Sequence, residues 1–151
     1  AFAAAILASA GILIIEVFMR YVFNAPTIWG HETVVFLTAV SFLFGGLFVA
    51  ARNAHIRVVL IYDALSAPVR RVFDIVISLV CALSCLFFSI ATWPTVMRAL
   101  YTPQGEWRIE TSGTAFNAPY PGILRAFLLG VLIVMTLQFI VLAYGYARGR
   151  R

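Results

Sequence analysis

Residues 75–97 read IVISLVCALSCLFFSIATWPTVM, a run that holds no acid, no arginine and no histidine. About 20 largely apolar residues in helical form cross the hydrocarbon core of a bilayer. In lipid every backbone N–H and C=O must find its partner inside the protein, which a helix achieves within one segment. The stretches 33–51 and 126–147 are equally free of charge, and 1–15 is uncharged and continues through Glu16 to Phe23. The run at 75–97 therefore has three companions. The expected fold is an all-α integral membrane protein with four transmembrane helices over about 1–23, 30–51, 70–97 and 122–147, forming a single membrane domain across 1–151.

Composition leads to the same place. Of 151 residues, 63% are hydrophobic and 11% charged, against roughly a quarter charged in a soluble domain. A soluble fold of this size cannot hide so much apolar surface, so a soluble enzyme and a nucleic-acid reader are excluded. The net charge of +5 is carried by eleven arginines with no lysine, spread between the apolar runs rather than gathered in one patch. Arg52, Arg57, Arg70, Arg71, Arg148, Arg150 and Arg151 fall on one side. Arg20, Arg98, Arg108 and Arg125 fall on the other, diluted by Glu32, Glu106 and Glu110. The positive-inside rule then places both termini and the middle loop in the cytoplasm. Trp29, Trp93, Tyr101, Trp107 and Tyr120 gather near the outer boundary, as an aromatic belt does, and Tyr62, Tyr144 and Tyr146 near the inner one.

Two connections are long. Residues 53–67 form a candidate interfacial amphipathic helix on the cytoplasmic side, with Ile56, Val59 and Leu60 sharing one face while Arg57 and Asp63 stay wet. Residues 101–122 form a periplasmic loop rich in proline and glycine, long enough to be functional.

Few residues offer chemistry. Glu16 and Arg20 stand four apart with the acid first, the favourable order for an ion pair along a helix. An unpaired Glu16 would instead suit a proton-coupled carrier. Glu32 opens the second span, where the helix dipole favours an acid; a pair with Arg20 or with a partner chain is an equal alternative. His31 and His55 lie at helix ends or in loops, away from positions that would hold a haem. Ser78, Ala82, Cys85 and Ser89 make a small-residue stripe, Ala1, Ala4, Ala8 and Gly11 a second. Ser41 with Gly45 and Gly46 with Ala50 add small-xxx-small pairs, all signs of close helix approach. Cys81 and Cys85 read as packing residues, since thiols in apolar surroundings are inert. Gln138, deep in the last span, reads as an interhelical hydrogen-bonding group. No metalloprotease, Walker or dinucleotide motif occurs, so no catalytic, substrate-binding or metal residue is assigned.

Several segments together resemble the small membrane (Q-type, DctQ-like) subunit of tripartite ATP-independent periplasmic, or TRAP, transporters. They are Arg20-Tyr21-Val22-Phe23-Asn24, Trp29 with Glu32, His55-Ile56-Arg57-Val58, Tyr62-Asp63, Arg70-Arg71 and Glu110-Thr111-Ser112-Gly113. The chain departs from the family at His31 and Val59, where acids are common. The resemblance implies a non-catalytic subunit of a bacterial inner (cytoplasmic) membrane transporter, sodium-coupled and specific for an organic acid of dicarboxylate or sialic acid type. It implies two protein partners: a large M-type membrane subunit that carries sodium and substrate, and a periplasmic P-type binding protein. No cofactor is expected in this chain, with Na+ held by the large subunit and room left for a bound lipid beside the surrounding membrane lipids. Glu16, Arg20, Trp29, Glu32, Arg52 and Gln138 are the expected subunit or interface residues. Arg98, Glu106, Trp107, Arg108 and Glu110 are the expected docking surface for the soluble protein. The alternative is a self-sufficient small multidrug-type proton-coupled exporter that uses Glu16.

Overall fold

The computed structural model describes residues 2–51 and 66–148. Among the described residues the elements are four helices: α1 (Phe2–Tyr21), α2 (Gly30–Ala51), α3 (Ala67–Leu100) and α4 (Tyr120–Ala147). Each is long and apolar enough to cross a membrane, so the all-α class with four membrane-capable helices stands. The expected amphipathic segment falls almost entirely on residues outside those described, as do Arg52, His55 and Arg57.

Local chemistry sets the helix limits. Asn24 closes α1 in the left-handed conformation (φ 52°), with Val22 N donating to Phe18 O and Ala25 N to Met19 O. Asparagine tolerates that region better than other side chains. At the start of α2, Thr33 donates to Trp29 O from both its backbone N (3.1 Å) and its hydroxyl (2.8 Å). Pro68 and Pro121 sit in the first turns of α3 and α4, where a missing N–H costs nothing. Pro94 lies inside α3, which continues through it; membrane helices tolerate such a gap when neighbouring groups cover the freed carbonyl.

The chain divides into two compact units. The first comprises the described residues of Ala1–Gly45 and Thr92–Leu129, and so includes α1 and the whole 101–119 connection. Within it Phe36 stacks on Tyr120 (centroids 4.6 Å apart, planes at 18°) and Phe44 meets Phe127 at 5.3 Å.

The second comprises the described residues of Gly46–Ala91 and Gly130–Arg151. Its core is Ala50, Ala82 and Phe139, with Cys81, Cys85, Met135 and Leu142 packed against them. Ala82 and Cys85 thus pack as their stripe suggests, and Ser78 and Ser89 are buried with them. The hydroxyls are satisfied at home: Ser78 donates to Asp74 O (2.7 Å), Ser89 to Cys85 O (2.8 Å) and Thr136 to Leu132 O (2.8 Å). Arg71 caps the end of α4 by donating to Tyr146 O (2.7 Å) and to Ala147 O, which supplies donors to carbonyls that a helix end leaves open.

Two small-residue readings need correction within the described residues. Ala4 and Ala8 are exposed, and a Cβ on Gly11 would meet nothing within 4 Å. Gly46 likewise borders open space, although its partner Ala50 is fully buried. A small residue permits close approach; whether a neighbour arrives is a separate matter.

Candidate functional site

The polar side chains of the first unit concentrate where α1 ends, α2 begins and the 101–119 connection returns to α4. Three carboxylates organise this region, each held differently.

Glu16, 6% exposed, accepts from Arg20 Nη2 at 2.7 Å and from the hydroxyl of Thr27. Both oxygens are thereby engaged, one by the next turn of its own helix and one by the turn leading to α2. Gly30 completes the corner: a Cβ there would stand 2.5 Å from Thr27 Oγ1 and 2.7 Å from Glu16 Oε2. The α1–α2 turn closes over the acid because residue 30 has no side chain. A carboxylate so engaged is not the unpaired group that a proton-coupled carrier would use.

Glu110 pairs with Arg125 from the first turns of α4. Its backbone is fixed as well, since Glu110 N donates to Ala99 O (2.7 Å) and Gly122 N donates to Glu110 O (3.4 Å). Gly122 must be small, because a Cβ would come within 2.7 Å of Ile109 Cγ2 and 3.1 Å of Glu110 O.

Glu32 accepts through Oε1 from the hydroxyl of Thr114, which also contacts Ser112 Oγ at 3.0 Å. Its second oxygen, Oε2, is shut off from solvent, and no donor reaches it among the described residues. Glu32 therefore does not pair with Arg20, which belongs to Glu16. An open groove of about 310 Å³ runs beside it, lined by His31, Glu32, Val35, Phe36, Ser112, Tyr120, Pro121 and Leu124.

The connection itself is ordered by a short hairpin-like turn. Tyr101 and Trp107 face each other in an antiparallel bridge, their rings edge to face at 5.2 Å and 88°. Thr102 N donates to Glu106 O and Gly105 N to Thr102 O, both at 2.9 Å. Pro103 takes the second position of this turn, where its fixed φ fits, and Gly105 adopts φ 87°, open to glycine without steric cost. Arg108 N donates to Leu100 O at 2.9 Å, tying the return strand to the end of α3.

Beside this turn lies a second groove of about 280 Å³, lined by Arg98, Tyr101, Thr102, Pro103, Arg108, Glu110 and Thr111. Arg98 and Arg108 are exposed and make no ion pair among the described residues. Of the expected docking surface, Arg98, Arg108 and Glu110 meet at this groove. Trp107, 62% exposed, and Glu106 stand on the turn above it.

Trp29 contributes its carbonyl to the α2 start and leaves its ring partly exposed. Gln138 lies half-buried in α4 and makes no side-chain hydrogen bond among the described residues, so the expected interhelical bond does not form among them. Those residues also contain no cluster of three or more metal-ligating side chains. Sequence reading missed Thr27, Gly30, Thr114, Gly122 and Arg125. The proximity of Asn24 and Pro26 to Thr27 was the available sign of a tight turn over Glu16. Nothing local pointed from Glu32 to Thr114.

Comparison with known proteins adds a second line of information. The family described as "Tripartite ATP-independent periplasmic transporters, DctQ component" matches residues 9–149. Over 75 residues the chain is 36% identical to the C4-dicarboxylate TRAP transporter small permease protein DctQ of Vibrio cholerae serotype O1 (strain ATCC 39315 / El Tor Inaba N16961). That match takes in 50% of this chain and spans 31% of the relative's length.

Proposed function

This chain belongs to the DctQ component family of the tripartite ATP-independent periplasmic transporters, and on that footing we propose that it braces a large membrane subunit and helps dock a soluble binding protein. Family membership makes it a small permease component of a transporter and a multi-pass membrane protein. The bracing role goes further. The observation that carries it is the state of Glu16: the acid inside α1 is engaged on both oxygens by Arg20 and Thr27. A solute or ion pathway through this chain would need polar groups free to exchange partners.

In this reading both termini face the cytoplasm of a bacterium, in its inner membrane, and the 101–119 connection faces the periplasm. The transported solute is an organic acid, a C4-dicarboxylate by analogy with the relative's name, or a sialic acid. Sodium coupling and the sodium sites belong to the large subunit. Docking falls to Arg98, Arg108 and the turn that carries Glu106 and Trp107, because two guanidinium groups without an ion pair among the described residues, one in the last turn of α3 and one on the connection, suit carboxylates on a soluble partner.

Uptake in proteoliposomes at limiting soluble protein tests the docking role. Charge reversal of Arg98 and Arg108 together lowers uptake about tenfold, as expected for charges that steer encounter and hold register, while the large subunit still co-purifies. Unchanged uptake in that variant rules the docking surface out.

A further inference from the structure

Among the three carboxylates, Glu32 alone has an oxygen that is withdrawn from water with no donor on it among the described residues. A buried charged oxygen left unpaired costs free energy, so a native site normally supplies the missing group. His31 shares the groove but donates nothing to this oxygen, and the arginines of the other two carboxylates are already used. The last torsion of a glutamate is soft, so the carboxylate can turn Oε2 toward the adjoining groove.

We propose that this groove receives an arginine or lysine side chain of the large membrane subunit, whose cationic head completes Glu32. The walls fit such a side chain. Val35, Phe36, Tyr120, Pro121 and Leu124 offer an apolar channel to an alkyl stem, with the acid at its end. Val35, Phe36 and Leu124 belong to the membrane-capable stretches of α2 and α4, which favours a membrane-embedded partner over a water-soluble one. The start of α2 fixes the backbone of Glu32 beforehand, so the turn of the carboxylate is the main adjustment left on binding. The inference rests on the small-subunit reading and adds to it a specific contact.

The test uses the full membrane complex, captured through a tag on this chain. Wild-type chain brings the large subunit with it. Glu32→Gln lowers that capture roughly tenfold and Glu32→Lys lowers it further, as for a buried charge pair that loses one member, whereas Glu32→Asp retains most of it. A photo-crosslinking residue at Val35, which is half exposed and lines the groove, yields a peptide of the large subunit that contains arginine or lysine. This arm needs no change at Glu32 and so stays decisive if the Glu32 variants accumulate poorly. Equal capture by wild type and Glu32→Gln overturns the inference, as does a crosslink at Val35 only to phospholipid or to the soluble binding protein. Absence of the large subunit from the wild-type capture overturns the small-subunit reading itself.

Discussion

The two units of this chain hold themselves together by different means. The second is an alanine–phenylalanine core in which each buried hydroxyl donates to its own helix, four residues back. The first is organised by acids whose partners come from other elements: Thr27 on Glu16, Thr114 on Glu32, Arg125 on Glu110. Self-contained hydroxyls commit a helix to nothing beyond its own packing. Cross-element carboxylates fix a loop and two helix starts in one arrangement. The second unit rests on close apolar packing, and the first on polar contacts between elements.

That contrast can be broken in both units. The largest effect is expected at Gly30: Gly30→Val forces a side chain against Thr27 and Glu16, and overpacking of this kind costs about 3 kcal/mol. Thermal unfolding in detergent should show it as a clear fall in Tm. Ala82→Leu tests the second unit, where an extra side chain in a tight apolar core costs about 1–2 kcal/mol by the same measurement. A value as large as that for Gly30→Val would erase the distinction between the units. Arg125→Gln removes the partner of Glu110 from a pair whose side chains are each more than a third exposed. Solvent screening limits that loss to about 0–1 kcal/mol, so the change should appear as altered protease sensitivity of the 101–119 connection more than as lost stability. Smallest is Ser84→Ala, which deletes an exposed hydroxyl bonded only to Val80 O and should move stability by less than about 0.5 kcal/mol.

The helices were legible in the sequence because the signal for a span is a length of apolar residues, and nothing in the tertiary structure changes it. The Glu16–Arg20 pair was legible for a similar reason: both residues lie on one helix, so their spacing fixes their distance. Glu32 and Thr114 are separated by most of the chain, and only the fold of the connection brings them together. Gly30 and Gly122 follow the same logic, since the need for a missing Cβ arises from atoms of another segment. Small-residue stripes stand between these cases. The pattern at Ala82 and Cys85 corresponds to a packed core, while the equally regular one at Ala4, Ala8 and Gly11 faces open space within the described residues. Periodicity records what a face permits, and contact requires a second surface to arrive.

In the proposed role this chain supports transport without carrying the solute. Reconstitution tests it most directly: proteoliposomes containing this chain alone, the large subunit alone, or both, each supplied with the soluble binding protein and a labelled organic acid under a sodium gradient. No uptake is expected from this chain alone, and full uptake when both membrane subunits are present. Solute movement through this chain by itself would contradict it.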